Sequence, residues 1–190
     1  MFEPSLALAS LSGESDADWA IEGAPWAGIA FLGGLAVDDA TQEAARRMVA
    51  DRDRSEFRPT DPFAFIDDQL KQVADRDITA GFNVRAVELG PLQRAAEICA
   101  SHDAVIEINA HCRQAELCAA GCGETLLRDT DRLARHVAAA AETDATVSVK
   151  MRTEVDGVDL PATARRVAAA GADIVHVDAM DSEPVVADVG

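Results

Sequence analysis

Short apolar runs alternate with longer Ala-rich runs along the sequence, and this alternation limits the possible folds more than any other feature. The short runs have the composition of buried strands, and the longer runs have helical periodicity. Strands that alternate with helices form βαβ units around a parallel sheet. The predicted strands are Leu6–Leu11, Gly28–Leu32, Ile78–Val84, Ala104–Asn109, Thr146–Arg152 and Asp173–Met180. The predicted helices are Asp16–Glu22, Asp38–Ala50, Asp61–Asp75, Pro91–Ser101, Asp129–Glu142 and Pro161–Ala170.

The number of predicted strands indicates an incomplete barrel. A (β/α)8 barrel of the TIM type has eight strands and about 250 residues, whereas this chain has 190 residues. We therefore expect a single α/β domain over residues 1–190, of the TIM-barrel type, with about six βα units and truncated after strand six. The chain is then either a fragment or an unusual open sheet, whose unpaired edges favour a homo-oligomer. The polar segment Asp51–Asp67 is expected to form an exposed excursion between the second and third strands.

The charge composition is strongly acidic, with 17 Lys and Arg residues against 34 Asp and Glu residues and a formal net charge of −17. Such a surface is typical of halophilic proteins, in which salt screens the self-repulsion. It argues against broad capture of nucleic acid, which needs basic patches. The sequence has neither an apolar run of membrane-spanning length nor a secretory signal. We therefore expect a cytoplasmic protein without membrane contact, in which Cys99, Cys112, Cys118 and Cys122 are free thiols.

Polar side chains end three successive predicted strands, and in each strand they are spaced two residues apart. Side chains alternate along a strand, so each pair shares one face. Because active sites of parallel barrels lie at the carboxyl ends of the strands, we expect the pairs to converge on a ligand at the barrel mouth. The alternative is an ion-pair network in which Glu107 or Asp178 neutralises Lys150 or Arg152. The three pairs are Glu107 with Asn109, Lys150 with Arg152, and His176 with Asp178.

Cys112 follows the fourth predicted strand and is flanked by His111 and Arg113. A thiol beside basic groups is suited to act as a nucleophile or a proton donor, whereas an isolated Cys is otherwise a small inert hydrophobic residue. A metal site is a further alternative, built from His111, Cys112, Cys118 and Cys122. Their spacing lacks the Cys-x2-Cys pairs that mark zinc and iron–sulfur sites, so no metal is expected.

At these residues the sequence resembles the flavin-dependent tRNA-dihydrouridine synthase family, most closely its short archaeal relatives, over most of the chain. The family's Asp-x-Asn-x-Gly-Cys-Pro is similar to the segment from Glu107 to Arg113, and its Val-Lys-x-Arg matches Val149 to Arg152. Its Gly-x-Gly-x-x-Leu-Leu is similar to the segment from Gly121 to Leu127. Its first motif, Ala-Pro-Met-Ala-Gly-x-Thr-Asp, corresponds to the segment from Ala9 to Asp16.

The resemblance implies a TIM barrel that binds FMN across the carboxyl ends of the strands. NADPH or NADH would reduce the flavin, which would pass hydride to C6 of uracil in tRNA. Carried over by position, Cys112 is the catalytic residue that protonates C5, and Asn109 and Arg152 bind the substrate. The positions implied to bind the cofactor are Ser10, Leu11, Asn83, Lys150, His176 and Asp178.

Several positions depart from the family pattern and leave other functions open. Ser10 and Leu11 replace Pro and Met, and Asp178 stands where the family has a flavin-contacting His, with His176 two residues earlier. The phosphate-binding glycines of the family lie on strands seven and eight, outside the six predicted here. The alternatives are a small pyrimidine as substrate, a dihydroorotate or dihydropyrimidine dehydrogenase-like enzyme, and a non-catalytic flavin- or nucleotide-binding relative.

Overall fold

The computed structural model describes residues 2–50 and 55–179, in which strands and helices alternate as predicted. The strands are β1 (Ala7–Leu8), β2 (Ile29–Ala36), β3 (Thr79–Arg85), β4 (Val105–Asn109), β5 (Thr146–Arg152) and β6 (Ile174–Asp178). The helices are α1 (Ala17–Gly23), α2 (Asp39–Ala50), α3 (Pro62–Val73), α4 (Leu89–Ser101), α5 (Ala115–Ala120), α6 (Glu124–Arg128), α7 (Thr130–Ala141) and α8 (Leu160–Ala169).

The six strands form one parallel sheet, and each strand pairs with the next one in the chain. The sheet is strongly curled. The ring centroids of Phe31 on β2 and His176 on β6 are 5.6 Å apart, although four strand spacings of a flat sheet would separate them by about 19 Å. The described chain therefore forms the arc of an incomplete (β/α)8 barrel, which confirms the predicted fold class.

Apolar side chains pack on both faces of this arc. The larger core lies between the outer face of the sheet and the helices and includes Leu32, Phe82, Ile106 and Val147. A smaller cluster of Ile29, Phe31 and Val105 fills the inner face nearest the amino ends of the strands. The floor of the barrel is therefore apolar, and its polar side chains lie nearer the carboxyl ends.

Sequence signals fix several helix ends. Asp16, Asp61, Asp129 and Asp159 each precede a helix and accept hydrogen bonds from its first backbone N–H groups. Gly171 follows α8 with a φ of +111°, a conformation that glycine adopts without strain. Polar caps and a terminal glycine thus delimit these helices.

The structure corrects three details of the prediction. The first strand is only Ala7–Leu8, because the chain leaves the sheet and turns towards α1. Two short helices, α5 and α6, lie between β4 and α7, where the sequence predicted no helix. The segment Asp51–Asp67 is not simply an exposed excursion, because Glu56 is buried and α3 begins within it. Residues 51–54 and the predicted strand end at Met180 lie outside the described residues.

No helix among the described residues is long and apolar enough to cross a membrane. The four cysteines all lie in described parts of the chain, and all four are free thiols. The thiol prediction is therefore confirmed.

Candidate functional site

The polar strand ends form ordered rows across the barrel. Asn109, Lys150 and His176 are direct Cα partners in neighbouring strands. Arg152 and Asp178 form the next pair towards the mouth, and Asn83, Glu107 and Ser148 form the row below. The convergence predicted from the alternation of side chains is thus observed.

Glu107 is the centre of the lower row. Its carboxylate is fully buried and accepts three hydrogen bonds. Oε1 accepts from Asn83 Nδ2 at 2.7 Å, while Oε2 accepts from Ser148 Oγ at 3.1 Å and lies 2.8 Å from His176 Nδ1. These donors compensate the carboxylate for the loss of water.

Lys150 does not take part in that network. Its side chain is only 4% exposed, yet among the residues that the structure describes its ammonium makes no hydrogen bond and no ion pair. The alternative in which Glu107 neutralises Lys150 therefore does not hold, since neutral side chains and His176 surround that carboxylate. An ammonium without a protein partner at the mouth of a barrel is suited to an anionic or carbonyl ligand.

The loop after β4 carries Cys112 and is held by the strand end. The Oδ1 atom of Asn109 accepts the backbone N–H of Cys112 at 3.2 Å, and its Nδ2 donates to Asn83 Oδ1 at 2.9 Å. Cys112 itself is 5% exposed. It packs with Ala44, Met48, Leu117 and Cys122 in a small apolar cluster. The thiol is therefore close to the strand ends but largely enclosed.

Arg85 is a functional candidate that the sequence analysis did not identify. It lies two residues after Asn83 on β3 and is 1% exposed. Its Nη1 lies 2.8 Å from Glu56 Oε2, its Nη2 donates to Ser12 Oγ, and Cys112 is among the groups that act on its charge. The continued two-residue alternation from Asn83 to Arg85 is the signal that could have revealed it.

Opposing effects act on the protonation of Arg85. Burial acts to lower its pKa, but Cys112 and Glu56 beside it raise the pKa above its ordinary value. Arg85 therefore remains a cation next to the thiol. Its Nε is buried without a hydrogen-bond partner within the described residues.

Gly34 brings the backbone of β2 against these groups. A Cβ atom at this position would lie 2.9 Å from Asn83 Oδ1 and 3.0 Å from Arg85 Nη2. Both contacts are tighter than ordinary van der Waals distance. A side chain here would therefore displace Asn83 or Arg85.

The alternative metal ligands are directed elsewhere. The thiol of Cys118 donates to the backbone carbonyl of Cys112, and that of Cys122 donates to the carbonyl of Leu117. Burial and the neighbouring cation Lys150 lower the pKa of His111 to about 3. In the described part of the chain, no group of three or more His, Cys, Asp or Glu residues could hold a metal ion.

The remaining predicted residues lie at the rim. Leu11 is half exposed and Ser10 is partly buried, in the loop whose next residue, Ser12, reaches Arg85. Asp178 Oδ2 is 3.9 Å from His111 Nε2. Arg152 Nε donates to the carbonyl of Thr153 at 3.4 Å. Among the described residues, no hydrogen bond joins Ser10 or Leu11 to the row formed by Asn109, Lys150 and His176.

Comparisons with known proteins agree with the motifs. Residues 83–179, just over half of the chain, match the family model of dihydrouridine synthases. An uncharacterized protein of Methanocaldococcus jannaschii is 28% identical over 152 residues, which cover 79% of this chain and 58% of that protein. This chain therefore spans somewhat more than half the length of its curated relative.

The fold is also similar to a solved structure. The crystal structure of a 2,3-dimethylmalate lyase, a member of the PEP mutase/isocitrate lyase superfamily, matches with a TM-score of 0.60 and 12% identity. The match covers 97% of this chain and 62% of the lyase chain. At this identity the likeness supports the fold alone.

Proposed function

The chain belongs to the dihydrouridine synthase family, and from this premise we propose that it is an FMN-dependent oxidoreductase that reduces the C5–C6 double bond of uracil. One observation carries the proposal: Lys150 is largely enclosed at the barrel mouth, its ammonium has no ionic partner among the described residues, and the residue is in line with Asn109 and His176. A site of this kind is complementary to a flat ring edged with carbonyl oxygens.

The residues at the mouth fit the ring of FMN. Lys150 would hold the pyrimidine edge of the ring, because a cation there stabilises the negative charge of the reduced cofactor. His176, in the same row as Lys150, offers Nε2 to the same edge. Both polar atoms of the Asn83 amide are engaged by Asn109 and Glu107, so Asn83 would support the site from the row below. When bound, FMN supplies the hydride, which NADPH or NADH has delivered to it.

The protein's own contribution to the reaction is a proton. Cys112 would give the proton of its thiol to C5 of uracil, as the family motif implies. Arg85 and this thiol are close enough to interact electrostatically, and a nearby guanidinium would stabilise the thiolate that remains after the transfer. Asn109 holds the Cys112 loop in place through its hydrogen bond to the backbone, and Arg152 stands at the rim on the substrate side.

The net charge of −17 bears on the substrate. Uracil within tRNA is the substrate that the family implies, but an acidic surface repels phosphates. High salt weakens that repulsion. A tRNA and a free pyrimidine therefore both remain as substrates of the proposed reaction.

A second function is favoured by the burial of Cys112. A thiol that is 5% exposed and packed against Met48 and Leu117 has little access to a substrate unless the loop moves. A flavin-binding protein without this proton transfer would need no such movement. Measurement of the product separates the two functions.

The proposed activity is testable with the full chain at high salt. We expect that the chain, incubated with FMN, NADPH and either uridine-containing tRNA or uracil, adds two hydrogens to the pyrimidine. Mass spectrometry of the nucleosides or of the free base would detect the gain. Binding of FMN with no gain in either substrate would instead support the non-catalytic function.

A further inference from the structure

A directed chain of hydrogen bonds links the Cys112 loop to His176. The backbone N–H of Cys112 can only donate, so the atom of Asn109 that lies 3.2 Å from it is Oδ1. The other end of that amide, Nδ2, donates to Asn83 Oδ1 at 2.9 Å. The amide of Asn83 is thereby oriented with its Nδ2 towards Glu107 Oε1, at 2.7 Å.

The same chain fixes what Glu107 presents to His176. With Oε1 occupied by Asn83, Oε2 receives Ser148 Oγ and His176 Nδ1. Asn83 Nδ2 and Ser148 Oγ donate to this carboxylate, whose oxygens therefore act as acceptors. His176 Nδ1 must then carry a proton, and in the neutral imidazole Nε2 is left as an acceptor.

The position of His176 makes its Nε2 acceptor available to a ligand. Packing against Phe31, at 5.6 Å between ring centroids, restrains the imidazole from one side. The Nε2 atom has no hydrogen-bond partner among the residues that the structure describes. Lys150, the direct partner of His176 on β5, can only donate. An acceptor and a donor thus stand side by side at the mouth.

We propose that Glu107 is a positioning residue that fixes the Nδ1–H tautomer of His176. His176 Nε2 and Lys150 then bind the adjacent N–H and C=O groups of a planar imide. Lys150 donates to the carbonyl oxygen, and His176 accepts from the imide N–H. Isoalloxazine and uracil both have such an imide, with its N–H group at N3 next to a carbonyl group. The inference rests on the proposed function for the identity of the ring, but the tautomer is independent of any ligand.

The tautomer can be measured by NMR of the full chain labelled with 15N-histidine, with His176→Gln to assign the signal. We expect His176 to be protonated at Nδ1 and not at Nε2. In Glu107→Gln, Asn83 Nδ2 still donates to the atom in the place of Oε1, which must therefore be the amide oxygen. The NH2 group then takes the place of Oε2 and donates to His176 Nδ1. The proton of the imidazole should therefore move to Nε2. The control Ser148→Ala removes a different donor to Oε2 and should leave the tautomer unchanged.

The imide contact can be measured by titrating two ligand pairs, lumiflavin with 3-methyllumiflavin and uracil with 3-methyluracil. A methyl group at N3 removes the hydrogen bond to His176 Nε2 and leaves that acceptor unsatisfied. The wild type should therefore bind the N–H ligand of each pair about tenfold more tightly than the methylated one. In Glu107→Gln the preference should fall to about one. A purely structural role of Glu107 would weaken both ligands of a pair equally, which would overturn the proposal.

The other possible results also keep or overturn the inference. A wild-type His176 protonated at Nε2, or no N–H preference in either pair, overturns the inference. A preference in the uracil pair alone keeps the inference and removes the flavin from this position, whereas a preference in the lumiflavin pair alone assigns the edge to the cofactor. Both wild-type measurements remain decisive if Glu107→Gln does not fold.

Discussion

Replacement of Cys112 by Ala is expected to slow the reoxidation of the reduced flavin by the pyrimidine by about 10²–10⁴-fold, the range for loss of a positioned proton donor. Reduction of the flavin by NADPH should be unchanged, because the thiol takes no part in that half of the reaction. Stopped-flow absorbance near 450 nm, a property of the oxidised flavin, follows both half-reactions separately.

A neighbouring thiol provides the control for this substitution. Cys118→Ala removes a thiol on α5 that donates only to a backbone carbonyl, so both half-reactions should keep wild-type rates. Equal reoxidation rates in Cys112→Ala and in the wild type would exclude Cys112 as the proton donor. A loss of FMN binding in Cys112→Ala would show that the substitution disturbs the site itself.

Replacement of Glu56 by Leu is expected to lower the free energy of unfolding by about 3–5 kcal/mol, the typical effect of leaving one member of a buried ion pair without its partner. The two charges are 2.8 Å apart, and both side chains are 1% exposed. The variant leaves the guanidinium of Arg85 buried next to an apolar side chain. Denaturant unfolding at fixed salt concentration measures the loss.

An exposed carboxylate provides the control for Glu56. Glu43 forms ion pairs with Arg46 and Arg47 on the surface of α2, and Glu43→Leu should change stability by less than about 1 kcal/mol. The double variant Glu56→Leu with Arg85→Met should recover part of the loss, because no uncompensated charge remains. If Glu56→Leu lowers the free energy of unfolding no more than Glu43→Leu does, the buried pair of Glu56 and Arg85 does not stabilise the fold as expected.

The sequence was sufficient for the features that depend on local periodicity. Strand β5 was predicted to the residue, and the shared face of Lys150 and Arg152 followed from alternation alone. The same alternation placed Asn109, Lys150 and His176 together, because parallel strands in chain order bring their carboxyl ends to one edge. The predicted fold class is correct for the same reason.

Features that depend on distant contacts were not predictable in this way. Glu56 lies in a polar segment with the composition of a loop, and only its pairing with Arg85, 29 positions later, makes it a buried residue. Helices α5 and α6 have six and five residues, which is too short for a periodic signal. The enclosure of Cys112 likewise depends on Met48 and Leu117, which the chain brings together from separate elements.

The binding of FMN by the two lysine variants tests the central claim most directly. The chain contains two lysines: Lys150 is buried at the mouth, and Lys71 is exposed on α3 beside Asp67. Equilibrium titration of the full chain with FMN at high salt should show binding that Lys150→Met weakens by about 10–100-fold, as for a lost charge-assisted contact, and that Lys71→Met leaves unchanged. Equal affinity for FMN in Lys150→Met and the wild type, or no binding by the wild type, would contradict the assignment of the barrel mouth as a flavin site.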